Sequence, residues 1–228
     1  MIDIHSHIIP NIDDGSRSIE DSLAMLKTSA ISGVSDIICT PHYREGYKKT
    51  PAEIESAFKL LKDSAKSQGI PVNLYLGEEI FVTKNIKTEL KEKQVLTLNG
   101  TKFVLLEFDY NINSEISEIV YELSRIGYIP IVAHVNRYNY LSIDDVIDIK
   151  RSHGLLQVNA DDVLRNLGRF GKNAKKLFNK GLVDFVASDI HANRENKMSE
   201  AGQIVKKKFG EDAYQVVFHD VAMQIIKG

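Results

Sequence analysis

Apolar and polar residues alternate at the start of the chain, where isoleucines at positions 2 and 4 are interleaved with Asp3, His5 and His7. A period of two residues is typical of a half-buried strand, so a strand is predicted over about residues 2–7. His5 and His7 would leave the same face near the carboxyl end of that strand. Two imidazoles placed in this way can both bind one cation. The alternative, two hydrogen-bonded core histidines, stays open on this segment alone.

Short apolar runs separated by helical patterns continue along the rest of the chain. They predict six further strands, each followed by at least one helical segment, which favours a parallel sheet covered by helices. Helix starts are indicated at Ser18, Thr50 and Ser142, each followed three residues later by an acidic residue. The predicted strands after the first lie at about 36–40, 72–78, 103–107, 129–134, 155–159 and 183–188. The predicted helices cover about 19–32, 50–68, a short segment from 84, 114–125, a segment from 142 and most of 198–226.

Polar residues able to bind a metal follow six of the seven predicted strands, each time at the carboxyl end. An open doubly wound sheet brings together only two or three strand ends at its switch point, whereas the mouth of a closed barrel collects all of them. The pattern therefore favours a closed α/β barrel. With 228 residues and no linker of Pro, Gly or Ser between the units, one domain over residues 1–228 is expected.

Composition excludes several classes of protein. The chain has 43% hydrophobic and 26% charged residues, as an ordinary soluble globular protein does. A net charge of −2 argues against a dedicated nucleic-acid binder. No apolar stretch reaches the length of a membrane span, and a single cysteine excludes an internal disulfide. A cytoplasmic protein without membrane insertion is expected.

Nine nitrogen and oxygen donors would meet at the barrel mouth. Five of the seven histidines lie at strand ends, together with four carboxylates that would repel one another unless cations balance their charge. Because one ion takes four to six ligands, the set predicts two or three divalent ions, and the absence of sulfur favours Mn, Fe or Zn bound by N and O. The candidate metal ligands are His5, His7, Asp14, His42, Glu79, Glu107, His134, Asp189 and His191.

Two arginines accompany these candidate ligands. Arg137 follows His134 by three residues, and Arg194 follows His191 by three. A multinuclear metal site performs hydrolysis by lowering the pKa of a water, and guanidinium groups would hold the oxygens of a phosphate ester. Both arginines are therefore candidate phosphate clamps, with ordinary surface arginines as the alternative.

The motifs together resemble the bacterial manganese-dependent protein-tyrosine phosphatases of the PHP (polymerase and histidinol phosphatase) superfamily, which accompany capsule and exopolysaccharide synthesis clusters. The similarity runs in order over essentially the whole chain. It is carried by M-I-D-I-H-S-H with D-D-G-S, T-P-H ending at His42, G-E-E-I around Glu79, L-L-E-F around Glu107, I-V-A-H-x-x-R ending at Arg137, and A-S-D-x-H ending at His191.

This resemblance implies a distorted (β/α)7 barrel with a trinuclear centre that prefers Mn²⁺. It implies that the nine residues above are metal ligands, that Arg137 and Arg194 bind phosphate, and that Asp14 is also catalytic. One position departs from the pattern, since relatives usually carry glutamate where this chain has Asn136. We expect changed hydrogen bonding there rather than loss of activity.

The expected function is hydrolysis of phosphotyrosine by a metal-activated hydroxide. The strand-to-helix connections look short, about six residues between Glu107 and Ser114, so the mouth should be open to a phosphorylated side chain on a polypeptide. The expected partner is the tail of a membrane-associated bacterial tyrosine kinase that controls polysaccharide export. The sequence does not indicate the oligomeric state.

Other functions remain as alternatives. The nearest is a histidinol-phosphate phosphatase of the same superfamily; a metal-dependent amidohydrolase would usually carry a bridging lysine where this chain has Glu79 and Glu107. A cysteine phosphatase is disfavoured because Cys39 and Arg44 are separated by only four residues without a glycine-rich loop, so Cys39 is expected to be a buried strand residue. A binding module without activity would be expected to have lost ligands.

Overall fold

The computed structural model describes residues 1–165, 168–192 and 194–228, and within them the chain forms an α/β domain whose paired strands are all parallel. The strands of this described part are β1 (Ile2–Ser6), β2 (Asp36–Cys39), β3 (His42–Tyr43), β4 (Asn73–Leu76), β5 (Glu79–Phe81), β6 (Phe103–Glu107), β7 (Ile129–Val132), β8 (Leu155–Asn159) and β9 (Phe185–Ala187).

The strands form one group in the order β1-β2-β4 and another in the order β3-β5-β6-β7-β8-β9. Two residues separate β2 from β3 and two separate β4 from β5, so each pair occupies one position in the barrel wall as a single kinked strand. Backbone bonds continue across the kinks, because Gly77 N donates to Cys39 O at 2.9 Å and Glu79 N donates to Pro41 O at 3.1 Å. The nine short strands therefore occupy seven positions, as the sequence predicted.

Hydrogen bonds join the first strand to the segment that follows the last. Asp189 N donates to His5 O at 2.9 Å, and His7 N donates to Ile190 O at 3.0 Å. Ser6 and Ile190 form a parallel bridge. The sheet thus curls back on itself, and the predicted distorted (β/α)7 barrel is confirmed.

Helices cover the outside of the sheet. They are α1 (Ile19–Ile31), α2 (Pro51–Ser67), α3 (Ile86–Lys91), α4 (Ile116–Arg125), α5 (Ile143–Arg151), α6 (Ala160–Leu164), α7 (Arg169–Asn179), α8 (Met198–Phe209), α9 (Glu211–Gln215) and α10 (Val221–Lys227). Thr50 begins α2 with a reciprocal capping box to Glu53, and Ser142 begins α5 in the same way. Ser18 caps α1, since its hydroxyl oxygen accepts the backbone N–H of Asp21 at 3.2 Å. All three predicted helix starts are confirmed.

Some predicted boundaries were wrong. The strand expected over 72–78 is divided at Gly77, where a Cβ atom would lie 2.6 Å from Leu98 Cδ2. The helical patterns predicted over most of 198–226 are confirmed as α8, α9 and α10, and α8 ends at Gly210, whose φ of 93° lies in the left-handed region that favours glycine. The last strand is limited to Phe185–Ala187 and α4 starts at Ile116.

The barrel interior is apolar at one end and polar at the other. Inward residues such as Ile4, Leu105 and Ile131 form one buried cluster, and Ala222 and Ile225 of α10 pack into it from the amino-terminal end of the strands. A second apolar cluster fills the space between the strands and the outer helices. The buried histidines and the carboxylates that face them lie at the carboxyl ends of the strands.

Candidate metal centre

The two histidines of β1 lie at the centre of the barrel mouth and are completely buried. His5 Nε2 and His7 Nε2 are 3.1 Å apart. Glu79 Oε2 lies 3.2 Å from the first of these nitrogens and 3.4 Å from the second. Asp189 Oδ1 lies 3.6 Å from His5 Nε2. Two imidazole nitrogens and two carboxylates thus face one small volume.

The other predicted ligands surround this pair. Three overlapping groups offer donor atoms that all lie within 4.8 Å of one another in each group. His134 joins them, with Nε2 at 2.9 Å from Glu79 Oε1 and 3.7 Å from Glu107 Oε1. The structure therefore brings all nine predicted residues together. The three groups are His7, Asp14, His42 and His191; His5, His7 and Asp189; and His42, Glu79 and Glu107.

The donor set fits divalent cations. Within the described part of the chain, the buried atoms Glu79 Oε2, Glu107 Oε2 and His42 Nδ1 have no hydrogen-bond partner. His42 Nδ1 lies 2.9 Å from Glu79 Oε2, but the angles are not those of a hydrogen bond. Buried polar atoms without partners are costly, and cations between them would remove that cost. Nitrogen and oxygen donors suit Mn, Fe or Zn.

Burial and neighbouring charges shift the pKa values of the groups at the mouth in different directions. Burial raises the pKa of Glu79, but His5 and the other imidazoles around it outweigh burial and hold that pKa well below its usual range. Burial and the neighbouring Glu79 carboxylate raise the pKa of Glu107. Burial and the nearby His7 lower the pKa of His191 to about 4, so this imidazole is neutral and able to bind a metal near pH 7.

Asp13 is a functional residue that sequence reasoning missed in favour of its neighbour. Asp13 Oδ2 lies 2.7 Å from His7 Nδ1 and accepts the backbone N–H of His42 at 2.9 Å. Its Oδ1 accepts the backbone N–H of Gly15 at 2.9 Å. A carboxylate on Nδ1 leaves Nε2 free to bind an ion. Only glycine fits at position 15, because a Cβ atom there would lie 2.4 Å from His7 Cβ.

Strand β8 supplies no predicted ligand but holds three of them. The Gln157 side-chain oxygen accepts the backbone N–H of His134 at 2.7 Å and lies 3.4 Å from His5 Nδ1. Asn159 Nδ2 donates to Asp189 Oδ2 at 2.6 Å. His134 has φ 33° and Asp189 has φ 50°, both in the left-handed region. The hydrogen bonds from Gln157 and Asn159 hold these two strained residues in place.

Among the described residues, three guanidinium groups lie around the mouth. Arg137 Nη1 is 3.8 Å from Asp189 Oδ2, and Arg194 Nη1 is 3.7 Å from the same oxygen. The first side chain is 17% exposed and the second 48%. Arg44, which sequence reasoning did not place here, has Nη2 at 3.5 Å from Asp14 Oδ2 and is 33% exposed. Its position two residues after His42 is the signal that could have found it.

Aromatic rings complete the mouth, whereas the only cysteine does not contribute. The Tyr110 hydroxyl donates to Glu107 Oε1 at 3.1 Å, and its ring stacks on His134 with centroids 5.5 Å apart. The Tyr47 ring lies 6.1 Å from that of His42.

Cys39 is buried, and burial raises the pKa of its thiol to about 12. The interpretation of Cys39 as a buried strand residue is confirmed.

Fold and site together define an α/β barrel with a candidate multinuclear metal centre at the carboxyl ends of its strands. The chain belongs to the family described as capsular polysaccharide synthesis, CpsB/CapC, whose match covers residues 1–227. The family predicted from the sequence motifs is therefore confirmed.

Individual relatives agree with this assignment. The chain is 34% identical over 239 residues to the tyrosine-protein phosphatase CpsB of Streptococcus agalactiae, and the match covers all of this chain and 98% of the relative. A structure from work on YwqE of Bacillus subtilis and CpsB of Streptococcus pneumoniae, described as metal-dependent tyrosine phosphatases, matches with a TM-score of 0.89 and 30% identity. It covers 95% of this chain and 91% of its own.

A more distant structure shares the fold alone. Histidinol phosphate phosphatase from Lactococcus lactis matches with a TM-score of 0.60 and 12% identity, over 90% of this chain and 93% of its own. In the described residues, no helix combines the length and the apolar character that crossing a membrane requires.

Proposed function

We propose that this chain is a metal-dependent protein-tyrosine phosphatase. The observation that carries the proposal is the convergence of nine N and O donors on one mouth, most of them buried, with unpartnered carboxylate oxygens among them. The family match and the names of the relatives support the same reaction. The ion proposed is Mn²⁺, in two or three copies, with Fe or Zn as chemically acceptable substitutes.

Each group at the mouth has a proposed role. The nine donors hold the ions, which when bound would lower the pKa of an attacking water and balance the charge of the phosphoryl group. Arg137 and Arg194 donate to phosphoryl oxygens. Asp14 is proposed to act in the reaction as well as in binding, because its carboxylate is 40% exposed while that of Glu79 is buried. Solvent and substrate therefore reach Asp14 first.

The shape of the mouth favours a phosphorylated side chain on a polypeptide. Eight residues lie between the end of β6 and the start of α4 at Ile116, and Tyr110 of this connection packs on His134. The ligands lie below the rim, so a phosphate at the end of a long tyrosine side chain would reach them better than one on serine. Tyr47 and Tyr110 offer rings beside the path of a phenol ring.

The proposed partner is the phosphorylated tail of a bacterial tyrosine kinase that regulates capsule or exopolysaccharide synthesis. This proposal is supported by the capsule-synthesis family and by the tyrosine phosphatase relatives. We propose that the enzyme meets this tail from the cytoplasm.

A comparison of substrates tests the assignment. Purified protein loaded with Mn²⁺ is assayed with a phosphotyrosine peptide, the matched phosphoserine peptide and histidinol phosphate under one set of conditions. We expect the largest kcat/KM for phosphotyrosine. A preference of about tenfold or more for histidinol phosphate, equivalent to about 1.4 kcal/mol, would replace the proposal by a small-molecule phosphatase.

A further inference from the structure

A buried carboxylate outside the nine donors contacts one of the arginines at the mouth. Asp162 lies on α6 and is completely buried. Its Oδ2 accepts Arg137 Nε–H at 2.7 Å and Asn136 Nδ2–H at 3.0 Å. Neither Asp162 nor these contacts were expected from the sequence.

This contact fixes the direction of the guanidinium. With Nε bound to Asp162, and the guanidinium carbon 5.7 Å from the centre of the Phe170 ring, the plane of Arg137 is held from two sides. Its Nη1 is then 3.8 Å from Asp189 Oδ2, at the edge of the metal centre. The terminal N–H groups of Arg137 therefore face the mouth, whereas its Nε–H is already bound to Asp162.

Asn136 supplies the amide that this arrangement needs. Besides Asp162, its Nδ2 donates to Phe170 O at 3.3 Å, and its backbone oxygen accepts from Asn173 Nδ2 at 3.1 Å. A carboxylate at position 136 could make neither side-chain donation. It would also place a second negative charge within hydrogen-bond distance of Asp162, in a region closed to water, where like charges are strongly unfavourable.

We propose that Asp162 is a positioning residue that orients Arg137 toward the phosphoryl group. Position 136 carries a neutral amide in this chain because Asp162 already provides the carboxylate that pairs with Arg137. Glutamate at position 136 should therefore harm this enzyme. The link to the phosphoryl group rests on the proposed function, whereas the link between Asp162 and Arg137 does not.

The first experiment replaces Asp162 by asparagine, which keeps the shape but removes the charge. We expect KM for the phosphotyrosine peptide and the inhibition constant of inorganic phosphate to rise about ten- to a hundredfold, because a misplaced guanidinium binds phosphate poorly. Metal content should stay unchanged. Asp161→Asn, at the adjacent and partly exposed residue, is the matched control and should behave as wild type. Unchanged phosphate inhibition in Asp162→Asn would overturn the proposal.

A double-mutant comparison separates positioning from general destabilisation. Asn136→Glu should weaken phosphate inhibition by a similar factor, and the double variant Asn136→Glu with Asp162→Asn should recover at least part of the loss, because the amide and the carboxylate have exchanged places. If Asn136→Glu matches wild type, or if the double variant is worse than both single variants, the proposal fails.

A spectroscopic readout distinguishes this proposal from the proposed function. The Arg137 Nε–H should give a slowly exchanging ¹⁵Nε signal, assigned from its absence in Arg137→Ala, and this signal should exchange fast in Asp162→Asn. The measurement needs neither substrate nor metal, so it holds even if phosphotyrosine is not hydrolysed. A fast-exchanging Nε–H in the wild-type protein would contradict the positioning role.

Discussion

Some residues at the mouth can be predicted from the sequence pattern, and others can be identified only from the structure. His5, Glu79 and the other candidate ligands follow predicted strands, so the convergence of parallel strand ends was enough to select them. Asp13 and Gln157 act through ligands, and neither position in the sequence is marked by periodicity. Choosing between Asp13 and Asp14 requires knowing which way a loop folds, and that is decided by contacts such as the close approach of Gly15 to His7.

Removal of Asp13 tests whether a residue outside the ligand set controls the metal centre. In Asp13→Ala, His7 loses the partner of its Nδ1, so we expect metal affinity to fall about 10–100-fold. Isothermal titration with Mn²⁺ measures the change. Asp21→Ala is the control, since that side chain pairs with Arg17 on the surface at the start of α1. Equal affinities in the two variants would show that Asp13 has no such role.

The two arginines predicted from the sequence are tested at the same scale. Arg137→Ala and Arg194→Ala should each cost about 2–4 kcal/mol of transition-state stabilisation, a loss on the order of 10²–10³ in rate. Metal content should not change, because neither residue belongs to the donor set. The exposed Arg17 provides the control substitution. Near-normal kcat/KM in both variants would make them ordinary surface residues.

Among the helices and strands, features set by neighbouring residues agree with the sequence predictions, whereas features set by tertiary packing do not. The capping boxes at Thr50 and Ser142 were recognised because all of their atoms lie within four consecutive residues. The division of the strand at Gly77 was missed, since it results from packing against Leu98 of a distant segment. The resulting kink matters for the site because Glu79 begins the second half of that strand.

The cap of α2 gives a prediction about stability alone. Thr50 Oγ1 accepts Glu53 N–H at 3.3 Å, so Thr50→Ala should lower the free energy of unfolding by about 1 kcal/mol. Urea denaturation measures this loss, and phosphatase activity in native buffer should be unchanged. Ser67→Ala, at the last residue of α2, removes a hydroxyl that caps no N–H and should have a smaller effect. A larger loss in Ser67→Ala would contradict the assigned cap.

For the whole molecule, the alternation of strands and helices was sufficient to predict a closed barrel with its chemistry at one end. The closure itself, a few hydrogen bonds between β1 and the segment after β9, joins residues about 185 positions apart and leaves no local mark in the sequence. The same holds for α10, which packs against the interior at the opposite end of the strands. The polar mouth and the apolar base thus lie at opposite ends of the barrel.

The most direct test of a metal-dependent phosphatase is removal and return of the metal. We predict that purified protein contains two to three divalent ions per chain, that strong chelation abolishes hydrolysis of a phosphotyrosine peptide, and that Mn²⁺ restores it. Cys39→Ser should respond in the same way, since the buried thiol, with a pKa raised to about 12, is no nucleophile. Full turnover in metal-free protein, or an inactive Cys39→Ser variant with its metals still bound, would contradict this account.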